Sequence, residues 1–137
     1  MLKDYLLYHK ALKEAADTMA FDEIRMRREL FLVLLTAQTI IDDRESDGHP
    51  IPHFTASELY HSMVYLQVNV QKSVIYNNIL KLEKQGLVEK VVPKKKIGRA
   101  SKYVLTYLGE YCITHLNSTY SRIKKDNYRF SEERSWI

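Results

Sequence analysis

The residues best equipped for chemistry lie between positions 71 and 102, and they are hydrogen-bonding and cationic groups, not catalytic ones. Gln71, Lys72, Ser73, Tyr76, Asn77 and Lys81 share one stretch. Asn and Gln carry the donor–acceptor pair that fits the major-groove edge of adenine, and a tyrosine ring packs on a thymine methyl or donates to a phosphate. Lys72 and Lys81 suit phosphates, which fix register without reading sequence. Further on come the flexible cations Lys94, Lys95 and Lys96, then Arg99 beside Gly98, then Lys102. An arginine on a glycine-containing tip is the side chain best suited to enter a narrow minor groove.

Catalytic chemistry has no comparable support. The chain offers no Ser/His/Asp set, no glycine-rich phosphate loop and no metal-ligand cluster, so neither an enzyme nor a cofactor is expected. His49 and His53 stand four apart, a metal-ligand spacing on a helix. Pro50 and Pro52 forbid a regular helix there, so both read as solvated loop histidines. The single cysteine, Cys112, cannot form an intrachain disulfide and falls on the apolar face of a predicted helix, as an inert core thiol would.

Charge is distributed in blocks. Residues 1–64 carry 7 Lys/Arg against 11 Asp/Glu, residues 65–106 carry 9 against 2, and residues 107–137 carry 5 against 4. A basic middle between acidic and near-neutral ends points one surface at a polyanion. With 137 residues the chain is expected to form a single domain. The longest nearly apolar run, residues 30–41, contains Thr36, Gln38 and Thr39 and is too short for a bilayer, so no membrane partner is expected. The opening MLKDYLLYHK holds Asp4 and lacks a signal-peptide cleavage pattern, which predicts a cytoplasmic protein.

The elements that must position the polar residues follow from periodicity and punctuation. Residues 1–41 read as a helical arm and a core helix. Leu2, Tyr5, Leu6, His9, Leu12, Ala16 and Met19 share one face, and a break near 20–22 would be capped by Asp22. Residues 42–54, with Gly48 and two prolines, read as a loop. Thr55 and Glu58 form a capping box, with Phe54 and Leu59 as its hydrophobic staple, and open a short helix. Residues 64–68 turn toward a second helix, for which Asn69 is a candidate cap. That helix is expected to bury Val74 or Ile75, Ile79 and Leu82, and Gly86 ends it. Residues 87–92 and 103–105 predict two strands joined by the lysine-rich tip, and Pro93 stops the first. Thr106 caps a last helix over residues 107–126, with Leu108, Tyr111, Cys112, His115, Leu116 and Ile123 on one stripe and His115 packed and hydrogen-bonded. Residues 127–137 read as a polar tail.

The run Tyr76-x-x-Ile79-x-x-Leu82-Glu83-x-x-Gly86-Leu87-Val88 resembles the recognition-helix signature of PadR-type transcriptional regulators. Gly98-Arg99-x-x-Lys102-Tyr103-x-Leu105-Thr106-x-x-Gly109 resembles the wing that follows it there. Helical arms on both sides of a winged core look more like MarR-type regulators. The expected fold is mainly α with a small β-wing: a winged helix-turn-helix over residues 55–106, flanked by N- and C-terminal dimerisation helices. The resemblance implies a homodimer that binds double-stranded DNA at a pseudo-palindromic operator. Leu2, Leu6, Leu12, Leu116 and Ile123 are the expected dimer contacts, since two-fold pairing is the commonest way to cover leftover apolar stripes. A small-molecule effector could sit among Tyr5, Tyr8, Tyr107 and Tyr111. The alternative is a winged helix serving as a protein-interaction module in a replication or secretion assembly, which should show apolar patches in place of the cations of residues 65–106.

Overall fold

The computed structural model describes residues 2–21, 23–65, 70–91 and 101–135, with side chains from Leu6 to Asn127. The elements run α1 (Leu2–Ala20), α2 (Arg28–Ser46), α3 (Ala56–Tyr65), α4 (Lys72–Lys84), β1 (Val88–Val91), β2 (Lys102–Leu105) and α5 (Tyr107–Ser135). The order α3–α4–β1–β2 is that of a winged helix-turn-helix. Two compact units are present, one formed by Met1–Arg28 with Tyr111–Ile137, the other by Glu29–Glu110.

Three of the helices end in the same way. In α4 the Leu87 N–H donates to the Leu82 carbonyl (2.9 Å) and the Gly86 N–H to the Glu83 carbonyl (3.0 Å), with Gly86 at φ +77°. This is a Schellman closure; its left-handed residue is the reason a glycine is needed there. In α2 the same pair is His49 to Arg44 (2.9 Å) and Gly48 to Glu45 (3.0 Å). In α1 it is Ile24 to Met19 and Glu23 to Ala20, both 3.1 Å, and the left-handed residue is Glu23 at φ 61°. A side chain in that region costs about 1 kcal/mol, so α1 is closed against a strain that α4 avoids.

Several boundaries differ from expectation. The break after α1 is present, but Asp22 lies outside the described residues and the next helix begins only at Arg28. Before it, Ile24 and Met26 are buried and Arg25 and Arg27 exposed, a period-two pattern that suits an extended segment and not a helix. The core helix continues to Ser46 instead of stopping at 41. Asp42 is tied back to Gln38 (2.9 Å), and charge alone does not end a helix where Gly48 is available to do so. In the same way α5 runs on to Ser135, because the stretch read as a tail holds no Gly or Pro.

In the first unit Ala11, Leu12, Ala15 and Met19 of α1 are buried, whereas Leu6 is 58% exposed. The buried stripe is therefore displaced from the predicted one. On α5, Cys112, Ile113, Leu116, Thr119 and Ile123 are buried, while Leu108 and Tyr111 are exposed. Arg122 pairs with Glu14 across to α1, and Tyr8 meets Tyr120 edge-on at 5.3 Å. Leu12, Leu116 and Ile123 thus already spend their apolar surface inside a single chain. This corrects their assignment as contacts held open for a second copy; Leu2 has no described side chain. His115 is also corrected: its ring stacks on Tyr111 (6.1 Å), but its buried Nε2 has no hydrogen-bond partner among the described residues. Cys112 is fully buried, and desolvation pushes its thiol up to about 11, as an inert core cysteine requires.

The second unit is fastened where the wing meets the last helix. The Thr106 N–H donates to the Leu87 carbonyl (3.1 Å), its hydroxyl donates to the Gly86 carbonyl (2.6 Å), and that hydroxyl oxygen accepts the Gly109 N–H (3.1 Å). A Cβ on Gly109 would lie 2.2 Å from the Leu87 carbonyl oxygen, so the close approach depends on the missing side chain. Gly109→Ala should therefore force backbone apart and lower stability by at least about 1–3 kcal/mol, the usual cost of overpacking. Urea unfolding of the variant beside the wild type measures this; an unchanged midpoint would contradict the packing described.

Candidate nucleic-acid interface

α4 carries the candidate reading surface, and its geometry begins with which side is inside. Ile75, Asn78, Ile79 and Leu82 are buried. Of the two predicted alternatives Ile75 is the core residue, and Val74 is exposed. Lys72, Ser73, Tyr76, Asn77 and Lys81 are all exposed, as expected, with Tyr76 at 48%. The neighbouring asparagines have opposite fates, because consecutive helical residues point about 100° apart: Asn77 faces out and Asn78 in. Gln71 is exposed and occupies the N-cap position without a side-chain cap hydrogen bond. It stands in place of Asn69, the expected cap; Asn69 lies outside the described residues, as do residues 66–68 of the predicted turn, whose first two residues, 64 and 65, belong to α3.

The entry to α3, the helix packed against α4, is held by a set of contacts around residues 53–58. Glu58 N–H donates to Thr55 Oγ1 (3.2 Å) and the Thr55 hydroxyl donates to Glu58 Oε1 (2.9 Å), so the predicted cap is present with the threonine as donor to the carboxylate. Phe54 and Leu59, the predicted staple, are both fully buried. Arg44 from the end of α2 then clamps the same carboxylate in a fork, Nη1 to Oε1 at 3.0 Å and Nη2 to Oε2 at 2.5 Å, and also donates to the His53 carbonyl. His53 is consequently buried, with its Nδ1 3.0 Å from the Ile51 carbonyl, and is not the solvated loop histidine expected. No group of potential metal ligands occurs among the described residues.

The wing is anchored to that same segment. β1 and β2 pair antiparallel, Val88 opposite Leu105 and Val91 opposite Lys102. Phe54 adds a bridge on the other side of β2, exchanging two 2.9 Å backbone hydrogen bonds with Tyr103 while the two rings stack at 5.7 Å. The Tyr103 phenol is held above its ordinary value by burial first, then by Glu83 and Tyr76. Lys102 is exposed at the start of β2. Lys94, Lys95, Lys96 and Arg99 lie outside the described residues.

Exposed residues of this region that the sequence reading left out include Tyr65 at the end of α3, Leu80 and Lys84 on α4, and Lys90 on β1. Extending helical spacing from Ser73 through Asn77 reaches both Leu80 and Lys84, so that signal was present. The Phe54–Tyr103 bridge has no local signature, since a two-residue pairing between distant segments leaves none. The expected effector tyrosines divide between the two units. Tyr107, in the second, is 92% exposed; in the first, Tyr111 is exposed, Tyr8 meets Tyr120, and the Tyr5 side chain is not described. A cavity of about 220 Å³ does open among Gln38, Ile41, Asp42, Pro52, Val104 and Glu110, none of them tyrosine. No helix among the described residues is long and apolar enough to cross a membrane.

No protein-family profile and no curated protein sequence matches the chain. Solved structures do. The YusO protein from Bacillus subtilis aligns over 94% of this chain and 78% of its own, with 17% identity and a TM-score of 0.61. A mutant of S. aureus MepR bound to an oligodeoxyribonucleotide aligns over 96% and 89% with 15% identity and a TM-score of 0.56. The PcaV transcriptional regulator from Streptomyces coelicolor, in complex with its natural ligand, aligns over 96% and 75% with 18% identity and a TM-score of 0.53. These neighbours are MarR-family winged-helix transcription regulators. The chain shares their winged-helix fold, flanking helices included.

Proposed function

We propose that this chain is a sequence-specific regulator of transcription that binds double-stranded DNA as a homodimer on a pseudo-palindromic operator. The observation that supports it best is the outward side of α4, where Ser73, Tyr76, Asn77, Lys81 and Lys84 stand exposed on a helix whose other side is fully packed. Such a side combines base-edge hydrogen bonding with phosphate contacts and has little use in a protein core. The exposed Lys90 and Lys102 of the wing strands extend the positive charge beyond the helix, and the sequence between them adds Lys94, Lys95, Lys96 and Arg99. The likeness to a MepR mutant bound to an oligodeoxyribonucleotide supports the same reading, and the likeness to ligand-bound PcaV makes an effector part of it. The arrangement of helices along the chain favours a MarR-type over a PadR-type protein; the PadR-like wording of the recognition helix and wing rests on sequence alone.

In this mechanism the Asn77 amide and the Gln71 and Ser73 side chains read base edges, Tyr76 packs on a base or donates to a phosphate, and Lys72 and Lys81 set the register. The wing cations hold the flanking backbone, with Arg99 in the adjacent minor groove. Two α4 helices about 34–36 Å apart would match successive turns of one duplex face.

Affinity should fall steeply with salt. Engagement of about three phosphates per subunit gives a log–log slope near −5. Duplexes selected from a random pool and titrated at rising salt measure it. Absence of binding to every selected duplex at low salt would rule the proposal out.

Helix and wing should separate by mutation. Asn77→Ala should cost about 1–3 kcal/mol on the selected site and relax its sequence preference. Lys95→Ala should weaken all sequences alike and reduce the slope by about 1 per subunit, and Arg99→Ala should act mostly at A·T-rich flanks. Retained discrimination in Asn77→Ala, with its loss in Lys95→Ala, would reverse the assignment.

Sedimentation of the wild type at tens of micromolar should show a dimer, and a monomer would overturn that part of the proposal. Leu6→Asp, at an exposed position of α1, should weaken the dimer while the helical signal is retained. Leu116→Asp should instead unfold the chain, because it places an unpaired charge in a packed interior.

A further inference from the structure

Leu80 is 40% exposed, and its place on α4 is unusual. Ser73, Asn77, Leu80 and Lys84 follow at helical spacing i, i+4, i+7 and i+11, so they form one stripe. That stripe lies opposite the buried Ile75, Asn78, Ile79 and Leu82. Leu80 is therefore near the centre of the outward face, between Asn77 and Lys84 and one turn beyond Tyr76. Val74, the other exposed aliphatic residue of α4, sits to one side with Lys81.

An aliphatic side chain in the middle of a polar, cationic stripe gains nothing from water and desolvates its neighbours' targets if it meets a polar atom. It suits the stripe only if the opposing surface offers an apolar group at that point. The base edges of a major groove offer one such group that projects into it, the C5 methyl of thymine; cytosine has only a C–H there, and the other edge groups are donors or acceptors.

We infer that Leu80 is a specificity residue that recognises a thymine in each half-site through its methyl group. The inference rests on the DNA-binding reading of α4 and adds to it a base identity that the hydrogen-bonding residues do not supply. Asn77 and Gln71 are suited to adenine; Leu80 selects its complement, thymine, at a separate step of the groove. No hydrogen bond is involved, so the contact is blind to every feature of the base except the methyl.

The test replaces each thymine of a selected operator, one symmetric pair at a time, with deoxyuridine, which removes the methyl and leaves pairing unchanged. Wild-type protein should lose roughly four-fold in affinity per half-site at one thymine position, the value of one buried methyl-sized group. Leu80→Ala should bind the thymine duplex as weakly as the wild type binds the uracil duplex, and should show no further loss on uracil. Val74→Ala should keep the wild-type ratio. Leu80→Ala is expected to fold, since alanine favours helix and the site is exposed; its circular dichroism spectrum checks this. A thymine-to-uracil ratio that is unity for the wild type, survives Leu80→Ala, or vanishes in Val74→Ala overturns the inference while leaving DNA binding intact. Failure to bind any duplex at low salt would instead remove the reading of α4 on which it rests.

Discussion

The approach of Gly109 to the Leu87 carbonyl is the constraint on which the winged unit depends. At that point the end of α4, the beginning of β1, the end of β2 and the first turn of α5 lie within hydrogen-bonding distance of one another. Leu87 closes α4 with its N–H and receives Thr106 with its carbonyl. Thr106 then caps α5 and binds the Gly86 carbonyl with a single hydroxyl. Six backbone groups are satisfied here, the Leu87, Thr106 and Gly109 N–H groups and the Leu82, Gly86 and Leu87 carbonyls, several of which would otherwise be orphaned at helix and strand ends. A side chain at position 109 is incompatible with that economy of space. The end of α4 is thereby tied to both strands' ends and to the start of α5.

A second fastening works in the same unit, around residues 44–58. Arg44 grips Glu58 while Glu58 is engaged with Thr55, so a helix cap also serves as an inter-helix ion pair. The pair is partly exposed, and its value is geometric more than energetic: a bidentate fork fixes direction as well as distance. Next to it Phe54 is paired with Tyr103, which couples the entry of α3 to β2. The helix-turn-helix and the wing are thereby one packed body, with the polar side of α4 left free by what is buried on the other.

The first unit follows a different logic. Its buried residues on α1 and α5 are mostly small or aliphatic, and its links between the two helices include the Arg122–Glu14 pair and the Tyr8–Tyr120 edge contact. Burial first and then the neighbouring Tyr120 hold the pKa of the Tyr8 phenol above its ordinary value, with Arg28 acting in the opposite sense. With Leu12, Leu116 and Ile123 used internally, any surface that this unit offers a second copy must come from exposed positions such as Leu6 and Tyr111.

Much of this was legible in the sequence because it is local. Gly86 as a left-handed stop, the Thr55–Glu58 cap, the Thr106 cap and the buried trio Ile75, Ile79 and Leu82 each depend on residues within a turn or two of one another. The winged order followed from those marks, and so did the exposed set Lys72, Ser73, Tyr76, Asn77 and Lys81. Other features were not legible because they depend on which distant segment arrives. Periodicity marks an apolar stripe without saying what covers it, so Leu12, Leu116 and Ile123 looked available when the chain itself buries them. His53 reads as polar and solvated until Arg44 binds its carbonyl and closes the segment. The predicted helix ends fall short of 46 and 135 because charged residues resemble loop, whereas charge does not stop a helix that meets no glycine or proline. Sequence determined the elements and the polar face of α4, through interactions a few residues long. Tertiary structure decided which apolar faces remain exposed and where that polar face is held, because both are set by contacts between residues tens of positions apart.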